Sequence, residues 1–328
     1  MRYRSFGKTG IEVSEIGFGC ARLGGVFGES ATRQASIRVL QGALDRGITF
    51  FDTADMYTQG ESETLLGLAF RRQRDKVVIA SKGGYCLPAQ RQLIQRVKPL
   101  IKPLVRYLGI RREHLPSGAA GALSQNFTPK YLAERVEASL RRLKTDYLDL
   151  YQLHSPPPDA VDSERCIETL EQLKRAGKIR HYGIAADTVD DAREFLRYPT
   201  IASLQVPFGL LDQAALGEFL ALAEARGIAV IGRGCFAAGL LKAEYTEAQL
   251  RELTPKWPQI MALRQIAERR GRSVLELALQ FSLHTRAVAV TLLGMRTPAH
   301  LADNLQHFAA AALSDEEYRE LAAPEATA

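Results

Sequence analysis

The chain has 328 residues, of which 46% are hydrophobic and 24% charged. That is the balance of a soluble globular protein with a large core, and it excludes a disordered, collagen-like or disulfide-stapled chain. A net charge of +6 suits an anionic small ligand, but no basic run carries a nucleic-acid reading motif, so no nucleic-acid partner is expected.

Residues 3–13, centred on Gly7-Lys8-Thr9-Gly10, read as an opening hairpin. Short apolar runs then recur at 15–18, 48–51, 77–80, 147–152, 180–184, 203–206, 228–232 and 288–292. Helix-period segments separate most of them. In 36–46, Ile37, Leu40, Ala43 and Leu44 share one face. Thr128-Pro129 reads as an N-cap followed by Pro at the first helical position, opening a helix through Leu132, Val136, Leu140 and Leu143. Gly47, Gly177 and Gly227 each stand just past a helix and just before a strand, the C′ position where a left-handed residue is needed.

Eight strands with intervening helices predict a closed (β/α)8 barrel, one domain over 1–328. A Rossmann sheet would want Gly-x-Gly-x-x-Gly after an early strand, whereas Gly17-Phe18-Gly19-Cys20-Ala21-Arg22 holds only the first two glycines. Residues 86–127 are too long for a barrel connection and read as an insertion after the third strand. They carry Arg91, Arg96, Lys98, Lys102, Arg106, Arg111 and Arg112 among apolar residues, with Pro99 and Pro103 dividing the run. A surface element, a cover for the barrel mouth, or a contact for a partner or membrane surface all fit that pattern.

Cys20, Cys86, Cys166 and Cys235 form neither a CxxC pair nor a Cys/His ligand pattern, so no metal is expected. Scattered cysteines suit a reducing cytoplasm. No apolar leader opens the chain, and no run approaches the ~18 apolar residues of a membrane span.

A barrel places its chemistry at the C-terminal ends of its strands. There the sequence sets Asp52 and Tyr57 after the second strand, Lys82 after the third, His154 after the fourth and Gln205 at the sixth. A Lys in an apolar mouth needs an anionic partner, which Asp52 supplies. An ammonium beside a phenol stabilises phenolate, and a Tyr tuned this way can give a proton to a forming alkoxide.

These residues lie in motifs that resemble the aldo-keto reductases. The likeness runs from Arg4 to about Asn304. It is carried by Gly7-Lys8-Thr9-Gly10-Ile11 onward, Phe51-Asp52-Thr53-Ala54 to Tyr57, Glu61-Ser62-Glu63-Thr64-Leu65-Leu66-Gly67, Ser81-Lys82, Asp146 to His154, and Glu171 to Arg180. The resemblance implies an NAD(P)-dependent oxidoreductase, with hydride passing between nicotinamide and a carbonyl or alcohol substrate. It implies a tetrad in which Tyr57 is general acid or base, Lys82 paired with Asp52 lowers its pKa, and His154 orients the carbonyl. It also implies cofactor contacts from Gln205, from Gly232, Arg233, Phe236, Gly239 and Leu240, and from Gly294, Arg296, His300, Asp303 and Asn304. The family habit favours NADP, with NAD as the other choice. One departure stands out: Ala185-Ala186 occupy the place of a Ser-Asn pair that holds the nicotinamide carboxamide in relatives. That loss leaves a noncatalytic, dinucleotide-binding regulatory barrel as the alternative.

Overall fold

In the computed structural model, residues 1–24, 33–86, 124–163 and 165–322 are described. Two short strands, β1 (Tyr3–Ser5) and β2 (Glu12–Ser14), pair antiparallel as the expected hairpin. Eight more strands form the barrel: β3 (Ile16–Gly19), β4 (Phe50–Asp52), β5 (Val78–Gly83), β8 (Leu148–His154), β9 (Ile179–Ala185), β10 (Ser203–Pro207), β11 (Ala229–Arg233) and β12 (Val288–Gly294). They pair in parallel in that order, and β12 closes onto β3. A two-stranded pair, β6 (Tyr85–Cys86) with β7 (Ser124–Gln125), leaves the barrel after β5. It forms the base of the expected insertion, whose residues 87–123 lie outside the described set.

Parallel strands buried on both faces need continuous apolar runs. Accordingly, Leu148 to Leu153 are all buried, as are Val288 to Leu293. The hairpin plugs the lower end of the barrel. Phe6 and Val13 join Phe50, Leu150, Ile231 and Val290 in one interior cluster. Gly7 permits this approach, because a Cβ there would sit 2.4 Å from the Gly227 carbonyl oxygen. Its φ of +55° is also one that side chains rarely adopt. A second, larger core fills the space between the strands and the outer helices.

Gly47, Gly177 and Gly227 have φ of +84°, +72° and +66°, so each ends its helix in the left-handed conformation expected of C′. Two local expectations need correcting. The first helix is Arg33–Asp45, and it buries Ser36, Val39, Leu40 and Ala43, leaving Ile37 and Leu44 at the margin. Thr128 does stand at the N-cap of helix Pro129–Leu143, but its hydroxyl makes no capping bond. The hydroxyl and amide both donate to Asn126 Oδ1 instead, at 2.8 and 2.9 Å. The Asx turn of Asn126 thus outcompetes the cap. The strands also run further than their apolar stretches. β5 continues through Lys82 and β8 through His154, because parallel pairing (Lys82 with Gln152, His154 with Ala185) holds polar residues in register.

Candidate active site

β4 ends at Asp52, and the chain turns sharply toward Tyr57. Backbone bonds from Thr53 N–H to the Ala80 carbonyl and from Asp55 N–H to the Lys82 carbonyl keep this turn against β5. Thr58 and Gln59 follow with φ of +46° and +61°. Such residues cost on the order of 1–2 kcal/mol each, so something must hold them. The Thr58 hydroxyl does part of this, donating to the Leu23 carbonyl at 3.0 Å.

Lys82 reaches up from β5 with 1% of its surface exposed. An ammonium has three donors, and all three are used. They go to Asp52 Oδ2 at 2.6 Å, the Thr53 carbonyl at 2.9 Å and the Tyr57 hydroxyl oxygen at 3.3 Å. The other Asp52 oxygen accepts from Gln205 Nε2 at 3.1 Å and Gln152 Nε2 at 3.4 Å. The buried ion pair is therefore saturated on both sides, the condition under which burial of two charges is tolerated. Burial alone would lower the Lys82 pKa, but Asp52 and Tyr57 reverse this and the net direction is up. Lys82 stays a cation.

His154, the last residue of β8, stands between two rings. Tyr57 and Tyr85 meet it edge-on, with centroids 5.9 and 4.8 Å away. Burial, then Lys82 and Arg233, pushes its pKa down to about 3. His154 is therefore a neutral imidazole over the physiological range, able to donate a hydrogen bond but not to act as an acid. Its Nδ1 is buried without a hydrogen-bond partner among the described residues.

One expectation about electrostatics is reversed. The Tyr57 pKa lies above the ordinary phenol value, because burial outweighs the lowering by Lys82. Tyr57 thus keeps its proton, with its ring edge-on to His154.

The remaining expected positions divide into three groups. Gln205 joins the tetrad, but its amide goes to Asp52. Arg233 turns toward the end of β9, donating to the Ala186 and Asp187 carbonyls at 3.0 and 3.1 Å. Its Nη2 also lies 3.6 Å from the Asp187 carboxylate, which accepts from the Ser155 hydroxyl at 2.7 Å. The third group lines the rim above the adjacent strands β11 and β12. Gly232 is enclosed, since a Cβ there would meet Val288 and Phe208 at 3.2 and 3.3 Å. Gly234 and Gly294 face open space, and Gly239 has only the Lys242 side chain 4.0 Å away. Phe236 and Leu240 are half-buried beside them. Thr297 caps helix Pro298–Ala309 by accepting from the His300 amide at 3.2 Å. Arg296 and Asp303 are exposed around that helix start, and His300 is half-buried. Asn304 is buried, and its amide turns inward to the Gly294 carbonyl at 3.3 Å. The open glycine rim beside this helix N-terminus forms a cradle of the kind a dinucleotide phosphate fits. No group of three His, Cys, Asp or Glu side chains among the described residues could hold a metal.

Sequence reasoning passed over the layer behind the tetrad. Glu63 is wholly buried and accepts from the Ser81 hydroxyl at 2.6 Å and Arg142 Nε at 2.5 Å. Asp55 lies beside it, with Oδ1 unpartnered among the described residues. The available signal was an acid at Glu63 on the buried face of helix Glu61–Ala69.

The aldo/keto reductase family model matches residues 15–325. An uncharacterized oxidoreductase, YqkF, of Bacillus subtilis (strain 168) is 30% identical over 98% of this chain and 95% of its own length. The NADH-specific methylglyoxal reductase of Escherichia coli (strain K12) is 32% identical over 75% of this chain and 71% of its own. Among solved structures, the holo form of aldo-keto reductase AKR11C1 from Bacillus halodurans superposes with a TM-score of 0.78 at 29% identity, covering 98% of this chain and 95% of that one. The family match and the assembled Asp52–Lys82–Tyr57–His154 group disfavour the regulatory alternative. The chain belongs to the aldo/keto reductase family and is an NAD(P)-dependent oxidoreductase acting on carbonyl or alcohol groups.

Proposed function

We propose that the protein reduces small aldehydes, ketones or sugars with NADPH, and that Tyr57 is its proton donor. The observation that carries this reading is the Lys82 ammonium, buried and shared between Asp52 and the Tyr57 hydroxyl. The nicotinamide, when bound, supplies hydride. The chain's own residues supply the rest. Neutral His154 donates a hydrogen bond to the substrate carbonyl and fixes its direction. Tyr57 delivers its proton to the oxygen as negative charge develops there. Lys82 is positioned to stabilise the phenolate left behind, so the site is complementary to the charge-separated state rather than to the neutral ketone. Run backward, the same groups oxidise an alcohol.

Arg296 and His300 at the start of helix Pro298–Ala309 favour NADP. A guanidinium and an imidazole at the positive end of a helix suit a 2′-phosphate. The relative named as a methylglyoxal reductase supports a small carbonyl as substrate. Tyr85 and Met56, half-buried near His154 and Tyr57, offer an apolar wall for it. No disulfide joins the four cysteines to one another and three of them are buried, which supports function in a reducing compartment such as the cytoplasm. We take residues 1–328 as one barrel domain with 86–127 as its insertion.

Fluorescence titration with NADPH and NADH, followed by turnover of a carbonyl panel, tests the reading. Tyr57→Phe should lower turnover about 10²–10⁴-fold, the usual contribution of a positioned acid, and leave cofactor affinity unchanged. Near-normal turnover in that variant, or no binding of either cofactor by the wild type, overturns it.

A further inference from the structure

The site contains a side chain whose role follows from a gap in the barrel's hydrogen bonding. β8 is paired on one side with β5, whose last partner pair is Gly83 with Leu153. His154 therefore extends one residue past that neighbour, held only on the β9 side, where it faces Ala185. Ser155 follows with φ of +51°, so the strand cannot continue. Two carbonyls at this strand end, those of His154 and Ser155, face the side that β5 has left.

Gln125 fills that place. Its amide nitrogen donates to the Ser155 carbonyl at 2.7 Å and to the His154 carbonyl at 3.3 Å. Gln125 is itself paired with Tyr85 across β6 and β7. Tyr85 lies three residues after Lys82 in the chain, its carbonyl accepts from the Tyr131 hydroxyl at 2.9 Å, and its ring meets the His154 imidazole. The side chain of Gln125 thus stands in for the missing strand. It ties the backbone of His154 to the segment that carries Lys82.

The imidazole makes this tie consequential. A histidine that directs a reacting group is usually oriented through its second ring nitrogen. Here Nδ1 has no hydrogen-bond partner among the described residues. Among the described residues, ring contacts and the backbone at the strand end fix the imidazole, and Gln125 holds that backbone.

We propose that Gln125 is a positioning residue for carbonyl reduction: by holding the His154 and Ser155 carbonyls, it sets where the His154 imidazole meets the substrate oxygen. This rests on the assignment of His154 as the group that hydrogen-bonds the carbonyl.

The test compares wild type, Gln125→Met, which keeps length but has no donor, and Gln125→Lys, which restores a donor of similar reach. With methylglyoxal and NADPH, Gln125→Met should lower kcat between about tenfold and 100-fold, the scale set by displacing a group about 1 Å from its working position. Its NADPH affinity and melting temperature should match wild type, and Gln125→Lys should recover most of the rate. Imidazole NMR gives a second readout that needs no turnover. The chain has 6 histidines, and the His154 signals are assigned by their loss in His154→Asn. In Gln125→Met those signals should move while the other histidines stay put. Wild-type kcat in Gln125→Met overturns the proposal. So does a loss of kcat accompanied by lost cofactor binding and a lower melting temperature, which marks a merely structural role. If the wild type reduces no carbonyl, the functional reading fails on its own, and unmoved His154 signals would then overturn the positioning claim as well.

Discussion

Replacing Asp55 with asparagine should stabilise the protein at alkaline pH and leave it unchanged in acid. Asp55 is 9% exposed and sits two residues before Tyr57. Burial, and then the negative charge of Glu63, push its carboxyl from 3.8 up to about 7, against the opposing pull of Arg142, Arg135 and the Met56 amide. In the unfolded chain the same carboxyl loses its proton near the ordinary value. Between the two values the folded state therefore binds a proton that the unfolded state does not, so stability falls as pH rises through this window and stays low above it. The gap corresponds to about 4 kcal/mol, and water reaching the exposed edge of the carboxylate reduces this toward ~2 kcal/mol. Asp55→Asn has no charge to bury, so it lacks the slope. At roughly 2 °C per kcal/mol for a chain of this length, the variant should melt about 4–8 °C above wild type near pH 8. The two should coincide below about pH 3, under the ordinary value of 3.8, where wild-type Asp55 is neutral in both states. Thermal unfolding followed by circular dichroism at both pH values decides it. An offset that is the same at both, or a wild type that is the more stable near pH 8, refutes the reasoning.

Two further outcomes follow from the tetrad. Lys82→Met leaves Asp52 buried without its cation and should cost about 3–5 kcal/mol, with turnover lost. Asp52→Asn added to it should restore part of that stability, and a double variant no better than the single one would mean that the pair is not electrostatically coupled. The pH profiles of the two directions should differ. Burial holds the proton on Tyr57, so alcohol oxidation should still be climbing at about pH 9, below the ordinary phenol pKa of ~10. His154 is pushed to about 3, so in the Asp55→Asn background, which lacks the carboxyl pushed up to about 7, carbonyl reduction should show no break near pH 6–7, the ordinary histidine range; a break there would show that the imidazole titrates.

The barrel was legible because its signals are local and repeated. Eight apolar runs, three glycines at helix ends and a hairpin turn each encode one element, and the sum admits one closed topology. The tetrad was legible for a related reason: strand ends are the one place in such a barrel where an acid, a phenol, an amine and an imidazole converge. What was not legible depended on contacts between distant segments. Nothing at Gln125 announces a tie to His154, because that tie exists only where β8 outruns β5. The Tyr57 pKa illustrates a second limit. Its neighbour Lys82 is visible in the sequence, but the depth of burial that outweighs it is not. Thr128 shows a third, since a cap written in the sequence yields to an equally local competitor two residues earlier.

The Ala185-Ala186 departure gains a physical account from Arg233. Removing two polar side chains at the end of β9 leaves the backbone carbonyls there accessible, and the guanidinium of Arg233 takes those of Ala186 and Asp187. Asp187 in turn is held by Ser155, so the cation is braced between three strand ends. A guanidinium fixed in this way offers a cofactor only its charge and its flat face, neither of which distinguishes NADPH from NADH. Arg296 is exposed at the start of helix Pro298–Ala309, and the proposed role for it is contact with a 2′-phosphate, which NADPH alone carries. The two arginines should therefore separate in a titration. Arg233→Ala should weaken NADPH and NADH alike, by about tenfold (~1.4 kcal/mol), and should raise the pKa of His154, which Arg233 helps to lower. Arg296→Ala should weaken NADPH alone and shrink the preference between the two cofactors. If Arg233→Ala is the variant that alters preference, the guanidinium reaches the adenosine end, and the brace at β9 is not its position in the working complex.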